Sequence, residues 1–375
     1  MINKKVFVHA LEGWPEDTSN FKGKTERDIR VRWLVTRADN EPVGSGPWKV
    51  KDRSKDMIVL EPSGKDKKPD YLAEVHLPII PDGEELARRL QIDDPKNPDR
   101  VHFAPIMTDP KTISTLNPKK VEVISNPGLS LLYLGFYWDR APFDNSDLRK
   151  AVLSSLNVKE LPWAASNYAD PAVGPVPPNM KGYDPNIKQL PYNQSAAIGF
   201  LGQSHYNIDN PLTFVYIKRP SYANDLAVKV TEQINNCFSS DLKVTPIELG
   251  NWETLVPAVK ARQGDMFLYS WHQREGRTND PQGFLSALFH SRNIDPKDPI
   301  DKTNLTRYRN HDVDHLLDSG TPGNLLEAQK KIVGDAPMVF LSHPRRVSAY
   351  NKAVKNLKVR FDGLPEDKLI GTDVP

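Results

Sequence analysis

"LTFVYIKRPSYANDLAVKVTEQINNCFSSDLKVTPIELGNWETLVPAVKARQGDMFLYSW", residues 212–271, decides the fold. Its apolar runs "LTFVYI", "LKVTPIEL" and "DMFLYSW" are short and rich in β-branched and aromatic residues, which predicts strands. Between them, "NDLAVKVTEQINNCF" repeats its apolar residues at helical spacing, and "WETLVPAVKAR" does the same with Pro257 inside it. Strand, helix, strand, helix, strand is the pattern of an open parallel sheet with crossovers on its faces. In such sheets ligands sit outside the carboxyl ends of the strands. One such end runs into "YSWHQREGRTNDPQGF", residues 269–284, where Trp271 is followed at once by mixed charge.

Working outward, "LSLLYLGFYWD" predicts a long apolar strand. "APFDNSDLRKAVLSSLN" predicts a helix capped by Asn145 or Ser146, with Leu148, Val152 and Leu156 on one face. A proline-rich loop, "DPAVGPVPPNMKGYDPNIKQLPYN", separates it from the sheet pattern, and a loop of that length is functional or wraps a surface. Upstream, "PVGSGPWKVKDR" and "DMIVLEP" read as a β-hairpin, "AEVHLPII" as a strand, and "GEELARRLQ" as a helix with acids first and arginines last. "RVHFAPI" and "KKVEVISN" read as strands flanking the short helix "KTISTL". Downstream, "VDHLLDSG" and "NLLEAQKKIVGDAP" are helical, and "MVFLSHPRRVSAYN" and "LKVRF" close the chain as strands. Residues 1–40 carry only a possible strand, "RVRWLVT".

The chain has 375 residues, enough for two cores, which favours function in a crevice between domains. Its 50 Lys and Arg against 48 Asp and Glu leave it nearly neutral, so no long-range field draws it to nucleic acid or an acidic membrane. A single cysteine, Cys237, excludes an internal disulfide and reads as a packed side chain. No run approaches a membrane span, and the first residues are too short in apolar character for a signal peptide; an exported chain would have lost its leader. The 33 prolines point to short elements joined by rigid turns.

Chemistry-bearing motifs are sparse. His311 and His315 are four apart in "HDVDHLL" without a third ligand in the pattern, and "GSGPW" lacks the lysine and helix of a phosphate loop. No nucleophile elbow or carboxylate pair stands out, so enzyme chemistry is the weaker class and neither cofactor nor metal is expected. Two features are open to a binding role, beside the plainer readings of a solvated loop arginine and a packed tryptophan. Arg219, between an apolar strand and Pro220, is placed to aim a guanidinium at a carboxylate, and Trp271 offers an aromatic wall.

The collinear segments "PVGSGPWKV", "YLGFYWDRAPFDNSDLRKAV", "PVPPNMKGYDPNIKQLPYN", "RPSYANDLAVKVTEQI", "GDMFLYSW" with "DPQGFL", "NLTRYRNHDVDHLL" and "DAPMVFLSH" resemble the family 5 extracellular solute-binding proteins, nearest to the dipeptide-binding branch. The resemblance implies a two-lobed α/β periplasmic binding protein-like fold of type II, cluster C, with mixed sheets and helices on both faces. Lobe I would hold 41–135 plus 341–375, lobe II 136–340, with 1–40 unassigned and most of an outer domain absent. Hinge crossings would fall near Tyr133–Tyr137 and Phe340–His343. It implies a peptide ligand in an interlobe cleft, an ABC importer permease as partner, a monomer, and a place in the periplasm or at the extracellular face. Other small solutes held by such folds (heme, a nickel chelate, a sugar) and a degenerate homologue without transport are the alternatives.

A free dipeptide is a zwitterion, and each buried charge needs a partner. In the dipeptide branch an arginine takes the carboxylate, and Arg219 falls on that position. An aspartate three residues after the tryptophan takes the ammonium, and here that position holds Arg274. The segment up to Asp280–Pro281 is three residues longer than the branch pattern, so either Glu275 substitutes after a register shift or the ligand lacks a free amine. The expected ligand-binding set is therefore Tyr137, Arg219, Trp271, Arg274, Glu275 and Asp280. Arg309 stands where that branch has a paired cysteine.

Overall fold

The computed structural model describes residues 47–63, 72–162, 168–206, 211–218, 222–272, 280–294 and 303–359. They divide into two compact units, one from the described parts of 1–102 and 351–360, the other from 103–350.

In the first unit, β1 (Trp48–Arg53) and β2 (Met57–Pro62) form the expected antiparallel hairpin, and β3 (Val75–Pro78) adds to β2. Helix α1 (Gly83–Leu90) starts at Asp82, whose side chain accepts from the Glu85 N–H. Glu85 bonds Arg88 and Arg89 one turn on, and those two guanidiniums hold its carboxyl down at about 2. Ala87 and Leu90 turn inward, and the Asn351 amide donates to the Leu90 carbonyl.

The second unit holds β4 (Phe103–Ala104), α2 (Pro110–Ser114), β5 (Val121–Asn126), β6 (Ser130–Phe136), α3 (Ser146–Ser154) and β7 (Ala169–Pro171). It continues through α4 (Gln194–Ser204), β8 (Leu212–Ile217), α5 (Tyr222–Phe238), β9 (Val244–Leu249), α6 (Trp252–Lys260) and β10 (Met266–His272). It ends with α7 (Pro281–Phe289), α8 (His311–Ser319), α9 (Pro322–Asp335), β11 (Met338–Pro344) and β12 (Arg346–Asn351). Six strands form one sheet in the order β7-β11-β6-β10-β8-β9, and β4-β12-β5 form a second.

The parallel pattern of the opening stretch holds: β10 and β9 both run parallel to β8. It ends at β6, which pairs antiparallel with β10 and β11, so the sheet is mixed. Side chains alternate between its faces. Leu132, Leu134 and Phe136 join Leu148, Val152, Val230 and Ile234 of α3 and α5 on one side. Leu131 and Tyr133 join Val259, Phe284, Leu288, Val313 and Ile332 of α6 to α9 on the other. The result is a sheet with helices on both faces.

Helix starts follow local chemistry. Asn145, Asn193, Asn251, Asp280, Asn310 and Thr321 each accept a first-turn N–H, so Asn145 rather than Ser146 caps α3. The proline-rich loop wraps the sheet, burying Ala172, Val176 and Met180, while the Gln189 side chain bonds the Phe340 N–H and carbonyl. Cys237 is buried, and burial raises its thiol pKa.

Two expectations shift. "MVFLSHPRRVSAYN" is not one strand but β11 and β12, which belong to different sheets. Consequently the chain passes between sheets at 126–130 and 344–346, beyond the ends of the Tyr133–Tyr137 and Phe340–His343 segments, which lie inside the six-stranded sheet or at its end. The two connections touch: a Cβ on Gly128 would lie 2.0 Å from the Pro344 carbonyl oxygen. "RVRWLVT" lies outside the described residues, and of "LKVRF" only a bridge at Val359 falls within them.

Candidate functional site

Strand β10 runs from Met266 opposite Phe136 to His272 opposite Ser130, so its carboxyl end lies beside the start of β6. Trp271 sits there opposite Leu131, half-buried and packed on the face that carries Tyr133 and Tyr269. Its indole Nε1 is buried without a hydrogen-bond partner among the described residues. The end of β11 lies on the other side of β6. There the His343 Nδ1 meets the Ser130 carbonyl at 3.0 Å, which assigns it the proton and leaves Nε2 as an acceptor. Burial pushes the His343 imidazolium down to about 4, against the smaller opposing influence of nearby carbonyls and Asp170, so the ring is neutral at pH 7. Ser342 Oγ and His343 Nε2 are also buried with no bond of good geometry among the described residues, although the Gly174 backbone acts on the His343 ring. An indole N–H, a ring nitrogen and a hydroxyl are thus left without a bond of good geometry near the ends of β10 and β11, the strands that flank β6, where buried polar atoms are normally paired.

The other end of the same ladder differs. Tyr137 follows β6, fully buried, its ring 5.2 Å from that of Phe267 and its hydroxyl donating to the Val259 carbonyl at 3.1 Å. Burial raises its pKa. Arg149 is buried beside it in the fold, donating to the Phe143, Asp144 and Asp335 carbonyls with its guanidinium 3.8 Å from the centre of the Trp138 ring. Burial lowers Arg149 to about 10, partly offset by Asp335 and Asp144. Tyr308 donates to Asp335 at 2.6 Å.

Of the expected ligand residues, the three within the described residues do not come together. Tyr137 and Trp271 were to line one cleft, yet six residues of β6 separate their levels, about 20 Å at strand rise. Tyr137 serves packing and a backbone hydrogen bond. Asp280 is a helix cap: its carboxylate accepts from the Gly283 N–H at 2.8 Å, and Pro281 occupies the first turn. Arg219, Arg274 and Glu275 lie outside the described residues, in the segments that follow β8 and β10. Sequence reasoning missed Ser342 and His343. The signal was present, because "MVFLSHP" ends an apolar strand with serine and a ring residue as "MFLYSW" does.

A mixed sheet with helices on both faces is the arrangement shared with solved periplasmic binding proteins. The periplasmic binding protein DppA of Helicobacter pylori in complex with peptide STSA superposes with a TM-score of 0.73 at 21% identity, over 93% of this chain and 67% of that one. The family model of the bacterial extracellular solute-binding proteins, family 5 (middle), matches residues 25–296, and the chain belongs to that family. Among curated relatives, Di/tripeptide-binding protein 2 of Pseudomonas aeruginosa is 24% identical over 337 residues, covering 86% of this chain and 60% of the relative. Heme-binding protein A of Haemophilus influenzae is 25% identical over 312 residues, covering 80% and 53%. The chain thus spans between half and two thirds of the length of these relatives.

Proposed function

We propose that this chain is the substrate-binding component of an ABC importer that takes up peptides of dipeptide-like size and delivers them to a membrane permease. The observation that carries this reading is membership of family 5, combined with relatives and a solved neighbour whose names specify peptides. The carboxyl end of β10 at Trp271 supports it, since an indole N–H left without a partner among the described residues suits a ligand made of amides. Lobes of 41–135 plus 341–375 and of 136–340 would close on the ligand, because closure gains contacts only when ligand is present. Arg219 would take the peptide carboxylate and Glu275 the ammonium, with Trp271 as wall. The protein acts as a monomer at the periplasmic or extracellular face, without catalysis.

Thermal-shift titration of the purified chain with di- and tripeptides, hemin and a nickel–histidine chelate tests this. A peptide that binds the folded state raises the midpoint by mass action. A shift with hemin alone would favour the second reading, a heme carrier, for which the heme-binding relative speaks. No shift with any of them, alongside a stable protein complex, would point to a homologue that has left transport.

A further inference from the structure

Polar ties between the two sheets of the second unit stand on either flank of Trp271. Both β10 and β11 run antiparallel to β6, so the start of β6 and the ends of β10 and β11 share one edge of the six-stranded sheet. The chain passages to the β4-β12-β5 sheet leave from that edge, at 126–130 and 344–346. Arg345 pins them together. Its Nε donates to Ser125 Oγ at 3.0 Å, near the end of β5, and its Nη1 lies 3.2 Å from both Asp170 oxygens of β7. On the other flank of β10, β8 runs parallel to it, so α5, which follows β8, begins at the same edge.

From the second sheet, α2 reaches the start of α5. The helix lies between β4 and β5, anchored by the buried Thr112 and Ile113, and the Met107 N–H just before it bonds the Val347 carbonyl of β12. Lys111, in its first turn, holds its Nζ 2.6 Å from Asp225 Oδ2 in the first turn of α5. The two side chains are 75% and 34% exposed, so as a stabiliser of the fold the pair is weak. Its span sets it apart. The strand passages stand at β6 and β11, the ion pair stands beyond β8, and Trp271 ends β10 between them. A weak tie there acts on the mouth of the site rather than on the core.

We infer that Lys111 and Asp225 form a clasp across the mouth of the Trp271 site, opposite the passages pinned by Arg345, and that its making and breaking sets how long a bound solute stays. The nature of the solute rests on the importer function proposed above, whereas the clasp belongs to the unliganded chain. Weakness suits the role. An exposed ion pair attracts at contact range and is screened by salt, so it biases the two sheets toward closure without locking them. A ligand that touches both sides adds its own contacts to that bias. Lys111 and Asp225 are positioning residues, acting on the solute through the separation of the two sheets.

Spin labels at Lys119→Cys, after α2, and Val228→Cys, one turn along α5 from Asp225, read that separation in the full chain. Both positions are exposed, and Cys237→Ala removes the native thiol. Without peptide, the parent should show a dominant short distance. Asp225→Lys sets like charges face to face and should move weight toward a longer distance by about fivefold, and adding Lys111→Asp should restore the short one. Salt near 1 M should shift the parent in the same direction, because the screening length falls to about 3 Å. With alanyl-alanine as probe, stopped-flow dissociation should quicken about fivefold in Asp225→Lys and recover in the swapped pair. Distances unchanged by the reversal, or not restored by the swap, would overturn the inference, as would unchanged dissociation alongside a shifted distance. A parent that binds no peptide yet shows the distance shift would strike the importer reading and leave the clasp standing.

Discussion

The two ends of the β6/β10 ladder share a sheet and the same alternation of side chains, yet they treat polar atoms in opposite ways. Around Tyr137, Arg149 and Tyr308 every one of those side chains finds a backbone or carboxylate partner, and none of the orphaned buried atoms belongs to them. Around Trp271, Ser342 and His343, three buried polar atoms have none. Aromatic residues occur at both ends, so aromatic character does not separate them. Hydrogen-bond satisfaction does, at a cost of about 1–3 kcal/mol for each orphaned buried group.

The largest expected effect tests the satisfied end. Arg149→Met strands the Phe143, Asp144 and Asp335 carbonyls, and should remove about 4 kcal/mol of stability in urea denaturation. Ligand affinity of the folded fraction should stay at the parent value; a drop would show that the two ends are coupled. The next probes the orphaned end by pH. The unfolded His343 takes a proton near 6.5, whereas burial holds the folded group down at about 4. Stability is therefore full above 6.5, falls as pH drops toward 4, and levels off below, by about 3 kcal/mol in all. Denaturation curves of parent and His343→Gln should diverge across that window, and parallel curves would mean the ring is solvated.

Arg219→Ala should weaken peptides with a free carboxylate by about 2 kcal/mol in calorimetry, because their buried charge loses its partner. Equal affinity would remove Arg219 from the site. The smallest effect sharpens the contrast between the aromatic residues. Tyr137→Phe should cost about 1 kcal/mol of stability through the lost bond to Val259 and leave affinity untouched, whereas Trp271→Phe should weaken binding. The reverse outcome would exchange the roles of the two ends.

Much of the fold was legible because its signals are local. The parallel order of β8, β9 and β10 follows from crossover helices whose periodicity lies in the intervening residues, and asparagine or aspartate marks most helix starts. The break between β11 and β12 was not legible, since "SHPRRV" is extended on both sides and only pairing with different sheets divides it. Tyr137 and Trp271 each close an apolar run, and the sequence alone sets them in one cleft. Which end of a strand a residue occupies is visible in sequence, but which ends are neighbours depends on whether the strands run parallel or antiparallel.

The sequence by itself determined the α/β class, the family and the charge-rich segment after Trp271, all properties of residues a few positions apart or of collinear motifs. Only the tertiary structure decided that Trp271 and His343 flank the start of β6 from either side, opposite Leu131 and beside the Ser130 carbonyl, and that Arg262 and Arg307 converge on Asp139. Those groupings join side chains up to about two hundred residues apart through strand register and helix packing, and neither is encoded in local periodicity.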